Sequence, residues 1–97
     1  MTLQQFYDQP EEVLLPLITS KAEDCLLSEQ EEIEINDVYS LRLTYDDGMF
    51  GGWEYIDIVL EKNGETRDSE QEDQLGTTMR TVYDRVMDMI AAELDDN

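Results

Sequence analysis

Between Ile33 and Tyr45 the apolar residues fall on alternate positions. Ile33, Ile35, Tyr39, Leu41, Leu43 and Tyr45 fill six of the seven odd positions, while the even ones hold Glu34, Asn36, Val38, Ser40, Arg42 and Thr44. A side-chain period of two belongs to a β-strand with one dry and one wet face. The run predicts one antiparallel strand, or two strands meeting at a bulge or turn at Asn36-Asp37. After the segment Asp46-Asp47-Gly48-Met49-Phe50-Gly51-Gly52, the stretch from Trp53 to Lys62 repeats the pattern with Ile56, Ile58 and Leu60 in step. A hairpin is the economical reading. Asn63-Gly64 is the strongest short turn signal in the chain, and the polar residues behind it can add a short, edge-like third strand.

A sheet with one apolar face needs a cover, and helical periodicity flanks it on both sides. Leu14, Ile18, Ala22, Cys25 and Leu26 follow a helical stripe, although Pro16 predicts that the main helix begins near it and runs to about Ser28. Thr2 with Gln5, and Asp8 with Glu11 around Pro10, offer capping boxes ahead of it. Leu75, Met79, Val82, Tyr83, Val86, Ile90 and Leu94 form the most regular stripe in the chain. A capping box from Ser69 to Glu72 predicts that this helix starts nearby, with Glu70, Glu72 and Asp73 favourably placed at its N-terminus. Gly76 either sits inside it at a cost of about 1 kcal/mol or marks a restart at Thr77. The expected fold class is α+β: a single small domain over residues 1–97, built as helix, two- or three-stranded antiparallel sheet, helix. Both helices are expected to pack on the face of Ile33, Ile35, Tyr39, Leu41 and Leu43, leaving the other face acidic. Residues 1–9 and 95–97 are expected to fray.

The chain carries 25 Asp and Glu against 6 Lys and Arg, with no His, for a net charge of -19. Such charge with a mean hydropathy of -0.54 leans toward disorder, but 40% of the residues are hydrophobic and fall into clean periods, as in a folded chain. The absence of His and the single Cys25 exclude Ser-His-Asp and Cys-His machinery, a Cys/His zinc site and an internal disulfide. With this many acids close carboxylate pairs arise by chance, and none sits in a catalytic motif, so no enzyme is expected. Asp46-Asp47-Gly48 lacks the alternating acids of an EF-hand loop, and no metal or cofactor is expected. Cys25 lies on the apolar stripe and reads as packing. The start of the chain has no basic and apolar leader pattern, no apolar run is long enough to span a membrane, and a lone cysteine suits a reducing compartment, so a cytoplasmic location is expected. The sign of the charge disfavours direct binding to nucleic acid or to anionic lipid.

The sign favours a basic protein surface as partner, because mixed charge would keep the chain soluble without the self-repulsion of so many acids. DNA has roughly one charge per 100 Å² of its surface, whereas 19 net charges over about 5,700 Å² average roughly one per 300 Å². Imitation of a nucleic-acid backbone therefore requires acids gathered on one face. Glu23, Asp24, Glu29, Glu31, Glu32, Glu34 and Asp37 follow one another with no base between, and Glu32 and Glu34 lie on one side of a strand about 6.6 Å apart. Asp84, Asp88 and Asp95 share the outer stripe of the last helix, extended by Glu70 and Asp73 if that helix is continuous. Met49 and Phe50 stand on the glycine-rich hairpin tip among Asp46, Asp47 and Glu54, as an apolar hot spot does; alternatively Phe50 and Trp53 fold back over the core.

The candidate partner-binding residues are thus Glu31, Glu32, Glu34, Asp37, Asp46, Asp47, Met49, Phe50 and Glu54. In size and charge, though in no specific motif, the chain resembles the small acidic proteins that bacteriophages and mobile elements direct against host nucleic-acid enzymes. That resemblance implies a DNA-mimic inhibitor, of the anti-restriction or anti-CRISPR kind, occupying the basic nucleic-acid-binding surface of an enzyme, complex or transcription factor. The alternative is an acidic chaperone or immunity-type protein that holds one cognate protein through an apolar surface.

Overall fold

A computed structural model describes residues 1–49, 51–76 and 78–96. The alternating run resolves into two strands, β1 (Gln30–Glu34) and β2 (Tyr39–Asp46), joined through residues 35–38. Asn36 makes the corner: its Oδ1 accepts from the backbone N–H of Val38 (2.8 Å) and of Tyr39 (2.7 Å), and its Nδ2 donates to the carbonyl of Met1 (3.0 Å). An Asn side chain can substitute for a backbone turn in this way. β3 spans Tyr55–Lys62 and β4 spans Glu65–Glu72. Between them Asn63 and Gly64 have φ of 53° and 81°, the two positive values that a two-residue hairpin of matching twist requires.

The four strands form an antiparallel sheet in the order β1-β2-β3-β4. Register places Ile33 against Leu41, Leu41 against Leu60, and Leu43 against Ile58 on the dry face. Three helices cover that face: α1 (Leu3–Tyr7), α2 (Glu11–Ser28) and α3 (Arg80–Asp95). Leu14, Ile18, Ala22 and Cys25 of α2 meet Val82, Val86, Met89 and Ile90 of α3 over the sheet. The α+β class, the antiparallel sheet and the helical cover on the expected face follow the sequence reading, with four strands in place of two or three.

The element boundaries differ in three places, each for a physical reason. α2 does not begin near Pro16 but runs through it. A proline this close to a helix start costs one hydrogen bond to the carbonyl four residues back, while a continuous helix buries Leu14 and Ile18 on one stripe. Pro10 occupies the N-cap with no side-chain cap, so the box from Asp8 to Glu11 does not form; the box between Thr2 and Gln5 does, at 2.8 and 3.1 Å. The polar edge strand expected behind Asn63-Gly64 forms as β4, but it continues through residues 69–72, where a helix start was expected, and α3 begins only at Arg80. The positive-φ turn at Asn63-Gly64 returns the chain along β3 before any helix can nucleate. At the N-terminus, Leu3 and Phe6 of α1 are buried in the core, so a segment expected to fray carries part of the packing.

β4 contains no apolar residue. Its sequence, Glu-Thr-Arg-Asp-Ser-Glu-Gln-Glu, is fixed to α3 by charge. Arg67 reaches Glu93 through Nε (3.1 and 3.2 Å) and Nη2 (3.2 Å), and Arg85 reaches back to Glu72 (2.9 Å) and Glu70 (3.4 Å). A register shift beside Leu60 and Glu61 leaves Arg67 outside the ladder, free to aim at the helix. Among the described residues, no helix is long and apolar enough to cross a membrane.

Candidate partner-binding groove

The β2–β3 connection is shaped by its own acids. Asp46 Oδ1 accepts from the N–H of Gly48 (2.8 Å) and Asp47 Oδ1 from that of Met49 (3.0 Å), two successive Asx turns. Gly48 has φ of 70°, and a Cβ there would stand 2.4 Å from the carbonyl oxygen of Gly52, so only glycine lets the loop close. The strands leaving the loop place two phenols beside it. Tyr45 donates to Glu54 Oε2 (2.8 Å) and Tyr55 to Asp46 Oδ2 (3.4 Å). The bond to Glu54 raises the Tyr45 phenol above its ordinary value, and the Asp46 charge does the same for Tyr55. Both remain hydrogen-bond donors into alkaline solution.

The end of α2 approaches the same loop. Glu29 closes the helix in the left-handed conformation, its N–H donating to the carbonyl of Cys25 (2.8 Å) and its carbonyl accepting from the N–H of Tyr45 (2.8 Å). An open groove of about 1040 Å³ lies between the helix end, the loop and the last residues of β4. Leu27, Met49 and Trp53 line it and are 90, 74 and 84% exposed. Its acids are Glu29, Asp46, Asp47 and Asp73. Arg85 also borders it, with its guanidinium spent on Glu70 and Glu72.

The structure divides the sequence-derived candidates. Asp46, Asp47 and Met49 converge on the groove, with Glu54 beside it through Tyr45. Phe50 lies outside the described residues. Glu32 and Glu34 are exposed on the sheet face away from the helices, opposite Arg42 and Ser40. Glu31 is turned toward α2, where it accepts from Ser28 Oγ (2.8 Å) and pairs with Lys21 (3.5 Å), away from the groove. Asp37 sits at the opposite end of β2, roughly 24 Å from the loop by strand rise. Trp53 stands in solvent and does not cover the core.

Leu27, Glu29, Tyr55 and Asp73 were missed because they join the site only when α2, β3 and β4 meet. Leu27 left one signal: it is an apolar residue two positions past Cys25, off the stripe that packs. Cys25 itself is core, its Sγ 3.4 Å from the carbonyl of Leu43, and burial raises its thiol above its ordinary value. Among the described residues, no three Cys, Asp or Glu side chains are grouped to hold a metal ion.

The whole surface of 5961 Å² leaves roughly 310 Å² for each of the 19 net charges. Among the described residues, the acids outside ion pairs are distributed over α2, the open sheet face, the loop and α3. No family model, curated protein or solved structure matches the chain.

Proposed function

We propose that this protein is an acidic binding protein that docks on a basic surface of a protein partner, the surface with which that partner holds nucleic acid, and so acts as its stoichiometric inhibitor. One observation carries the reading. All six cations are engaged within the chain: Lys21 with Glu31, Arg42 with Glu61, Arg67 with Glu93, Arg80 with Glu11 and Asp84, Arg85 with Glu70 and Glu72, and Lys62 over the ring of Tyr39. The acids left over, among them Glu32, Glu34, Asp46, Asp47 and Glu54, have no cation within ion-pair distance among the described residues, so they meet only solvent counterions until a basic partner supplies fixed cations. Lys and Arg that a partner presents to phosphate would meet carboxylates, which accept the same charge-assisted hydrogen bonds.

A second reading, an acidic chaperone or immunity-type protein for one cognate protein, is favoured by the exposure of Leu27, Met49 and Trp53 together. The two separate cleanly by experiment. Affinity capture on the tagged protein, with and without excess duplex DNA, should recover a nucleic-acid-binding protein that DNA displaces. Its affinity should fall steeply from low to high salt. A single captured protein indifferent to both DNA and salt would favour the second reading and sink the first.

A further inference from the structure

Leu27, Met49 and Trp53 come from a helix end and a hairpin loop, yet all three line one groove and stand largely in solvent. Large apolar side chains gathered in a groove and ringed by polar groups have the anatomy of a protein contact centre. The ring here has one sign. Asp46, Asp47, Glu29 and Asp73 border the groove, and the only cation on its wall among the described residues, Arg85, is held by Glu70 and Glu72. The walls therefore exclude an acidic segment and a second copy of this chain, which brings the same charge.

We infer that the groove takes a protein segment in which arginines flank an apolar side chain. This rests on the reading that the partner surface is basic, and it specifies what that surface presents here. An arginine suits the walls better than a lysine, because its planar guanidinium stacks on an indole face and binds a carboxylate through two N–H groups. The apolar residue between the arginines covers Leu27 and Met49, which otherwise remain in water. Charge brings the segment in, and the apolar anchor sets how long it stays.

Trp53 is the only tryptophan in the chain and stands on the groove wall, so its fluorescence reports occupation. The test titrates the intact protein with a short tryptophan-free peptide of core Arg-Leu-Arg, and in parallel with Arg-Gly-Arg, Lys-Leu-Lys and Glu-Leu-Glu. Arg-Leu-Arg should shift Trp53 emission to the blue and bind on the order of tenfold tighter than Arg-Gly-Arg. Lys-Leu-Lys should bind more weakly, and Glu-Leu-Glu should not bind. Leu27→Ser and Met49→Ser, both at exposed positions and checked for an unchanged melting temperature, should each weaken Arg-Leu-Arg. Equal binding of Arg-Leu-Arg and Arg-Gly-Arg without an emission change would overturn the groove inference while leaving the basic-partner reading intact. Absence of binding by every peptide would overturn the inference too, and DNA-sensitive capture of a partner would then still stand by itself.

Discussion

Single residues set the shape of the groove, and Glu29 does so against its own preference. Its φ of 72° places a Cβ where an L-residue is disfavoured by about 1–2 kcal/mol, at a helix end where glycine is the usual occupant. Its backbone nevertheless ties α2 to β2, and the residue lines the groove. Glu29→Gly should therefore raise the free energy of unfolding by about 1 kcal/mol in a denaturant titration, since the backbone bonds survive and the strain goes. The same variant should bind a basic partner less tightly. If the midpoint stayed put or fell, the left-handed residue would carry no strain that glycine relieves. Gly48 is the reverse case, where the backbone approach to Gly52 leaves no room for a side chain.

At the scale of elements, β4 is the part whose attachment depends on ionisation. Glu93 is buried, accepts from Tyr39 Oη (2.8 Å) and is gripped by Arg67. Burial by itself pushes the Glu93 carboxyl up, but the hydrogen bonds from Arg67 and Tyr39, with the Arg67 charge, outweigh it and hold the group below its ordinary value. The sign follows: the folded state binds this proton less readily than the unfolded chain. Its contribution is complete above the ordinary carboxylate range and is lost as pH falls through the depressed folded value. Hydrogen exchange should show β4 losing protection on acidification before β2 does, and Arg67→Ala, which leaves the buried Glu93 carboxylate without its cation, should lower the denaturation midpoint at neutral pH. Uniform loss across all four strands would assign the strand's hold to the ladder with β3 alone.

That same strand is legible only in part: the turn before it points to a polar edge strand, but not to its full length or its hold on α3. β2 and β3 announce themselves because each alternates apolar and polar residues, and Asn63-Gly64 announces its own turn. β4 has no such alternation; it is a strand because the turn before it reverses the chain and because Arg85 and Glu93, far along in α3, supply the opposite charges. Pro16 misled for a related reason, since burial of the α2 stripe outweighs one lost hydrogen bond. In the groove, the loop acids and Met49 could be read from their neighbours. Leu27, Glu29 and Asp73 could not, because nothing local distinguishes them until three elements come together.

For the molecule as a whole, repulsion among acids competes with the seven ion pairs found among the described residues, which salt also weakens. Exposed pairs are worth about 0–1 kcal/mol each, and most of these have at least one side chain in solvent, so screening should remove more repulsion than attraction. The melting temperature should therefore rise by several degrees between low and moderate sodium chloride. A fall would mean that the paired charges dominate the balance.

Strand order follows chain order, so each strand of the sheet finds its partner in the segment made just before it. The meander can close through short loops, at small entropic cost, while the chain is still emerging from a ribosome. Its dry face then waits for α3, the last 16-residue helix, which must return to α1 and α2 from the far end of the sequence. Until α3 docks, only α1 and α2 can cover that face, and the negative charge shared by neighbouring nascent copies opposes contact between the Leu and Ile still exposed there.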